Sequence, residues 1–219
     1  MGYVQLSPTT MLAPLPCALV SCRGRETKPN MLTVAWSGIA CTHPPMISIS
    51  VKPGRFSHEL ILDSGELCVH PVDAKHVKEL DLCGIRSGRD VDKFQATGLR
   101  AIPSGLKYAP AVEGLPVCLA CEVRQCVPLG SHDLFLSEIR HVLIREDLLD
   151  ADGSVHLERA ALVAYSHGLY QELGRVLGFF GFSVARKEVY QKRMNDIRKV
   201  SAKQGPMQAS RTSPGSHHT

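Results

Sequence analysis

The amino-acid sequence predicts a mainly β fold, a β-barrel with inserted and C-terminal helices. Two segments, 31–37 and 47–52, alternate apolar residues with small or polar ones, a period of two that is typical of half-buried strands. Two long apolar segments, 117–127 and 134–145, flank a short turn and indicate a pair of long strands. Helical patterns are inserted between strands or come late, which favours a barrel or an α+β arrangement over alternating βαβ units.

Each further element is predicted from its local pattern. In the second alternating segment, Ile47, Ile49 and Val51 form an apolar face opposite small polar side chains. We expect the two alternating strands to be neighbours in one sheet, with a core behind them and a polar surface in front. Compact apolar runs predict strands at 16–22 and 66–70. Spacing and composition predict helices at 56–64, 74–83 (ending at Gly84), 169–178 and 184–200.

The composition is that of one globular domain. The chain has 219 residues, of which 44% are hydrophobic and 21% are charged. It has no apolar run of roughly eighteen residues and no signal-peptide pattern, so we expect a cytoplasmic protein without a membrane span. Of 25 basic and 21 acidic residues, eight basic and two acidic ones lie from residue 185 onward, which leaves 17 basic and 19 acidic residues in the body. A nearly neutral body argues against a nucleic-acid-binding face.

The eight cysteines are scattered through apolar segments, and we expect them to be reduced. Cys118 and Cys121 have the spacing of half a zinc site, which Cys126 and His132 would have to complete. Along a strand, however, side chains three positions apart point to opposite faces. We therefore predict buried thiols and no metal site.

Two local features contain candidate binding groups. The loop from Cys83 to Phe94 contains two glycines, two arginines and a lysine, which are donors that suit a phosphate monoester. A charged surface turn is the alternative interpretation. His132 lies at the tip of the long strand pair, where a plain surface residue is the alternative to a site residue. The sequence has no GxGxxG fingerprint, phosphate loop or GxSxG elbow, which argues against the dinucleotide-binding doubly wound fold.

Several segments follow one another in a distinctive order. They are Asn30–Trp36, Pro44-Pro45, Ile47–Lys52, Arg55-Phe56-Ser57, Ser64–Leu67, Ser87–Phe94, Gly130–Phe135, Tyr165, Tyr170, Leu173-Gly174 and Leu177–Phe179. In this order they resemble the flavin reductase-like, FMN-binding split-barrel family, and within it the flavoredoxin branch.

The likeness covers residues 12–183, and the resemblance implies that these residues form the split-barrel domain. Residues 1–11 are then an N-terminal extension and residues 184–204 a C-terminal helix. Residues 205–219 are rich in Pro, Gly and Ser and almost free of apolar side chains, so we expect a disordered tail.

The resemblance implies a homodimer in which FMN lies in a groove beside the subunit interface. Small side chains at Ala35, Ser48 and Ser50 let a planar ring approach the sheet. By this resemblance the first strand contributes four residues along the isoalloxazine ring and ribityl chain, Asn30, Thr33, Ala35 and Trp36. The second strand contributes Ser48, Ser50 and Lys52, and Arg55 and Ser57 follow near the ribityl-phosphate end. The candidates for the phosphate itself are Ser87, Arg89 and Lys93.

The activity that the resemblance implies is hydride transfer from NADH or NADPH to flavin N5, and from the flavin to an acceptor. His132 is the candidate catalytic residue, in a positioning role. One alternative is a flavoredoxin-type electron carrier that receives electrons from a redox partner protein. A second alternative is a non-enzymatic module that binds haem or another ligand. We expect neither nucleic acid nor a membrane as a partner.

Overall fold

The computed structural model describes residues 2–202, of which 199–202 are described in their backbone only. The predicted tail at 205–219 lies outside the described residues. The strands are β1 (Leu15–Pro16), β2 (Ala18–Cys22), β3 (Asn30–Val34), β4 (Ser37–Thr42), β5 (Pro45–Val51), β6 (Glu66–Pro71), β7 (Ala101–Ile102), β8 (Ala111–Val112), β9 (Val117–Pro128), β10 (Asp133–Ile144), β11 (Val163–Ser166) and β12 (Leu169–Glu172). The helices are α1 (Phe56–Ser64), α2 (Val77–Ile85), α3 (Lys93–Thr97) and α4 (Lys187–Ala202), with 3-10 turns at Ala74–His76, Glu146–Leu148, Leu157–Arg159 and Phe182–Val184.

Seven strands form the main sheet, in the order β3-β2-β6-β9-β10-β5-β4. The edge strands β3 and β4 are joined by Ala35 and Trp36 alone. This connection spans at most about 11 Å, whereas the edges of a flat seven-stranded sheet lie about 29 Å apart. The sheet must therefore curl until its edges approach each other. The backbone N–H of Ser50 in β5 donates to the carbonyl of Trp36 at 2.9 Å, which joins the connection to the far side of the sheet. The predicted barrel with inserted helices is confirmed.

The barrel interior is filled by the apolar faces of the strands together with one face of α1. Ile47, Ile49 and Val51 are buried as the alternation predicts, and Phe135 of β10 is fully buried among them. The long strand pair β9 and β10 is also confirmed. The two alternating strands, however, are not neighbours: β3 lies at one edge of the sheet, and β5 pairs with β4 and β10. Local alternation predicts which face of a strand is buried but carries no information about its partner.

The helix predicted at 169–178 is wrong. Leu169–Glu172 form β12, which pairs antiparallel with β11. His167 and Gly168 between them have φ values of 45° and 88°. Two consecutive left-handed residues are typical of a tight hairpin turn, and this turn geometry overrides the helical spacing of the apolar residues.

Two other helix boundaries also differ from their predictions. The helix predicted at 74–83 consists of a 3-10 turn followed by α2, which continues through Gly84 to Ile85. A Cβ at Gly84 would lie 3.3 Å from Cβ of Thr33, so the glycine allows α2 to lie close against β3. The C-terminal helix begins at Lys187 rather than at 184, because Phe182–Val184 form a separate 3-10 turn.

The chain divides into two compact units between Leu173 and Gly174, earlier than the predicted domain end at 183. The first unit contains the three sheets. Within the second unit, the rings of Phe179, Phe182 and Tyr190 cluster with centroid distances of 6.1–6.4 Å. None of the helices within residues 2–202 combines the length and apolar composition that a bilayer crossing requires.

Candidate functional site

Two adjoining cavities in the first unit form one groove. The larger cavity has a volume of about 310 Å³ and the smaller one about 130 Å³. Both are lined by Leu32, Thr33, Arg55 and Gly84, so these residues form the shared wall between them. The groove therefore follows β3 from its start at Asn30 to the connection after Val34.

The larger cavity is assembled from segments far apart in the sequence. Its walls come from Cys17 before β2, β3 and the following connection, β5 and the residues after it, the end of α2, the tip of the β9–β10 hairpin and the β11–β12 hairpin. Of the predicted site residues, Thr33, Ala35, Trp36, Ser50, Lys52, Arg55 and His132 line it. Tyr165 and Tyr170 line it as well, with ring centroids 5.8 Å apart, and the hydroxyl of Tyr170 donates to Asp81 at 3.1 Å.

His132 and Trp36 form one side of the larger cavity. Their ring centroids lie 4.4 Å apart with an interplanar angle of 44°, and Oγ of Ser131 lies 2.9 Å from Nδ1 of His132. Burial, and then the positive charge of Lys52, lower the pKa of His132 below its usual value. Both causes favour the neutral imidazole, in which one nitrogen can donate and the other can accept a hydrogen bond.

The smaller cavity lies at the N-terminus of α1. Arg55 is the N-cap residue of this helix, and no described side chain caps it with a hydrogen bond. Nδ2 of Asn30 donates to Oγ of Ser57 at 2.8 Å. A Cβ at Gly88 would lie 2.3 Å from Oδ1 of Asn30, so only glycine lets the loop after α2 approach this closely. Because the free N–H groups of a helix N-terminus attract anions, the cavity suits a negatively charged group.

Lys93 is a buried ammonium at the wall of the smaller cavity, with 4% of its surface exposed. Its Nζ donates to the carbonyls of Met31 and Cys83 at 2.7 and 2.8 Å. Burial lowers the pKa of Lys93. Two of its three donors thus connect β3 to α2, and one donor remains for a ligand.

The two arginines that follow α2 lie at different cavities. Arg86 lines the smaller cavity, but Arg89 lines a neighbouring surface cavity instead. The guanidinium of Arg89 donates to the carbonyl of Gly54 at 3.2 Å, pairs with Glu59, and lies over the ring of Phe56. The structure thus places Arg86, which was not among the predicted site residues, in the lining of the smaller cavity, whereas Arg89 lies at its rim and lines the adjoining surface cavity. The basic composition of the loop was the available signal, but it could not tell one arginine from the other.

The smaller cavity contains most of the other predicted residues, and Thr33 and Arg55 line both cavities. Asn30, Thr33, Arg55, Ser57, Ser87 and Lys93 line the smaller cavity. Ser48 lines neither cavity of the groove; its hydroxyl donates to the carbonyl of Gly38 at 3.2 Å, beside another cavity of about 530 Å³ that shares Trp36 and Ser50 with the larger one. Residues of the groove that the predictions missed include Arg86, Asp81, Gly84 and Gly88.

The eight cysteines are all free. Cys121 packs inside the barrel, whereas Cys118 packs with Cys68 on the other side of the sheet. Burial raises the pKa of Cys17 and Cys83 to about 11, so the thiols nearest the groove are uncharged at neutral pH.

Comparison with known proteins gives the same family as the resemblance. The flavoredoxin of Desulfovibrio vulgaris (Miyazaki F) superposes with a TM-score of 0.78 at 26% identity, covering 84% of this chain and 100% of that chain. An uncharacterized protein of Archaeoglobus fulgidus is 29% identical over 115 residues, which are 52% of this chain and 65% of the relative. The FMN reductase (NADH) RutF of Cronobacter turicensis is 25% identical over 104 residues, which are 48% of this chain and 60% of the relative. Each match to these two sequence relatives covers less than two thirds of the relative's length.

The sequence profile of the flavin reductase like domain matches residues 11–174. This range includes every residue that lines the two cavities of the groove. The chain therefore belongs to the flavin reductase like domain family.

Proposed function

We propose that this protein binds FMN in the groove and receives hydride from NADH or NADPH for delivery to an acceptor. The observation that supports this proposal most directly is the junction of two unlike cavities through one shared wall. The smaller cavity has the donors that a phosphate monoester requires. The larger cavity has small and aromatic side chains against which a planar ring can lie.

The phosphate end is formed by Arg55, Arg86 and the N-terminal amides of α1, with Ser57, Ser87 and the remaining donor of Lys93. Guanidinium groups bind phosphate oxygens in pairs of charge-assisted hydrogen bonds. Glycine at position 88 lets the loop after α2 pass close to Asn30, so the loop can line the smaller cavity with its backbone.

At the other end of the groove, Ala35 and Ser50 leave room for a flat ring, and Trp36 and His132 form its side wall. FMN, when bound, supplies the centre that accepts hydride. The neutral imidazole of His132 and the ammonium of Lys52 then orient the nicotinamide by hydrogen bonding. No acid–base step by the protein is required for hydride transfer.

The decisive experiment is an absorbance spectrum of the purified protein followed by mass spectrometry of the released cofactor. We expect a flavin spectrum and one FMN per chain. Stoichiometric FAD, or a haem spectrum, would contradict the proposal; haem would support the ligand-binding alternative instead.

An electron-carrier role is the second candidate, favoured by the similarity to a flavoredoxin over 84% of this chain. Anaerobic stopped-flow mixing with NADH or NADPH separates the two functions. Rapid bleaching of bound flavin supports the reductase. Bleaching only after addition of a reduced redox protein supports the carrier.

We further propose that the protein is a homodimer. Apolar side chains of the N-terminal segment are exposed, including Val4, Leu6 and Leu12 at 86%, 67% and 77%. A second copy of the chain that covered these side chains would remove their apolar surface from water. Light scattering of the full chain tests the expected doubled mass.

A further inference from the structure

A buried hydrogen bond joins α1 to the tip of the β9–β10 hairpin. Nε2 of His58 lies 2.8 Å from Oδ2 of Asp133, although the two residues are 75 positions apart in the sequence. Their side chains are only 7% and 15% exposed. The ring of His58 packs edge-on against Phe135, with a centroid distance of 5.3 Å. Breaking this bond would leave two largely buried polar groups without partners, so it ties the two segments together strongly.

Each end of this bond lies next to one wall of the groove. His58 directly follows Ser57, whose hydroxyl accepts the hydrogen bond from Asn30 in the smaller cavity. Asp133 directly follows His132, which lines the larger cavity and contacts Trp36. Residues two apart on a strand share a face, and both Asp133 and Phe135 of β10 contact His58, with Phe135 buried in the barrel interior. Asp133 therefore contacts His58 on the interior side of the barrel. This contact fixes the backbone next to His132, which lines the groove.

We propose that His58 and Asp133 are positioning residues. Their hydrogen bond fixes the hairpin tip relative to the start of α1, and this keeps the two cavities of the groove at the spacing that a single ligand needs. The pair touches neither cavity and acts through Ser57 and His132. The inference rests on the proposed function for its effect on FMN, but the placement of the hairpin tip can be measured without flavin.

Cys126 lies close to the pair and provides a matched control. The side-chain donor atoms of Cys126, His58 and Asp133 all lie within 4.8 Å of one another, a donor set that would also suit a zinc ion. In the structure, however, the His58 nitrogen and the Asp133 oxygen bond to each other. Burial, and then the charge of Asp133, raise the pKa of the Cys126 thiol, so it is uncharged beside the pair.

The first test is FMN titration of full-length variants. We expect Asp133→Ala and His58→Phe each to weaken FMN binding about ten-fold, because binding must then order the hairpin tip that the hydrogen bond already orders in the wild type. His58→Phe keeps the ring that packs on Phe135, so it isolates the hydrogen bond from the packing. The double variant should bind no more weakly than either single one, because both remove the same bond. Asp133→Asn keeps an acceptor oxygen and should restore most of the affinity, and Cys126→Ala should bind like the wild type.

The second test uses Trp36, the single tryptophan of the chain. Its side chain is 41% exposed and lies against the His132 ring. In flavin-free protein, loosening the hairpin tip uncovers the indole, so acrylamide should quench its fluorescence more strongly in Asp133→Ala and His58→Phe. Quenching in Cys126→Ala and Asp133→Asn should match the wild type, and a circular dichroism spectrum checks that each variant is folded.

Folded Asp133→Ala and His58→Phe with wild-type FMN affinity and wild-type quenching would overturn the inference. So would one equivalent of zinc in the purified protein that is lost in Cys126→Ala, since the cluster would then be a metal site. Failure of the wild type to bind FMN would defeat the proposed function instead, and the quenching test would still decide whether the pair positions the hairpin tip.

Discussion

The two ends of the groove are built on different physical principles. The smaller cavity is lined by polar side chains that are already held by buried hydrogen bonds, such as Lys93 on two backbone carbonyls and Asn30 on the hydroxyl of Ser57. The larger cavity is formed by residues from six separate segments, and its side wall is a contact between two rings, Trp36 and His132. The first end is held by hydrogen bonds that are costly to break when buried, and the second by ring contacts that are individually weak.

This difference predicts different responses to substitution. At the smaller cavity, some residues bind a ligand and others hold the cavity itself, so substitutions should separate into losses of affinity and losses of stability. At the larger cavity, single substitutions should alter local ionisation and ring contacts while leaving the fold intact.

The largest effect is expected from Arg55→Gln combined with Arg86→Gln. Removing two charge-assisted phosphate contacts should weaken FMN binding by a hundred-fold or more, since each contact contributes roughly 1.5–3 kcal/mol. Riboflavin lacks the phosphate, and its affinity should change far less. Parallel titrations of the two flavins check this, and an equal loss for both would place the phosphate elsewhere.

Lys93→Met should act mainly on stability. The substitution leaves the buried carbonyls of Met31 and Cys83 without their donor, which should lower the free energy of unfolding by roughly 2–4 kcal/mol. Urea denaturation measures the change, and Lys78→Met on the exposed side of α2 is the control. If Lys93→Met unfolds like the wild type yet binds FMN poorly, Lys93 is a ligand rather than a structural group.

At the larger cavity, His132 should titrate below the ordinary histidine pKa, because burial and then Lys52 disfavour its charged form. Protonation therefore requires a more acidic solution than for a free histidine, and Lys52→Met should move the pKa of His132 upward. NMR titration of the imidazole signals measures both. His156 is an internal reference, because its hydrogen bond to Glu158 raises its pKa. A His132 signal that titrates above the ordinary value would show that neither burial nor Lys52 controls the charge of this imidazole.

The smallest effect is expected for Arg89→Ala. Its guanidinium is already paired with the exposed Glu59 and with the carbonyl of Gly54 at the rim of the smaller cavity, and exposed ion pairs contribute little. FMN affinity should stay within about two-fold of the wild type, compared with a loss of about ten-fold for a real phosphate contact. A large loss of FMN affinity would indicate that Arg89 contacts the phosphate and that the loop rearranges on binding.

Most strands and much of the groove could be predicted from the sequence. The alternation around Ile49 placed the apolar face of β5 correctly, and the same segment contributes Ser50 to the larger cavity. The basic loop after α2 does reach the smaller cavity. The choice between Arg86 and Arg89 could not be predicted, because it depends on where Glu59 and Gly54 lie in space.

The sequence by itself determined the local features of this protein. A strand exposes alternate residues to opposite faces, so the burial of Ile47, Ile49 and Val51 follows from the pattern of a few neighbouring residues. Only the tertiary structure decided which strands pair. For example, β3 and β4 are joined by a two-residue connection, yet they form the two opposite edges of one curled sheet. The contact of His58 with Asp133, 75 positions away, likewise exists only because the sheet closes and brings α1 against the start of β10. Local periodicity has a range of a few residues, whereas barrel closure depends on strands spread over residues 18–144.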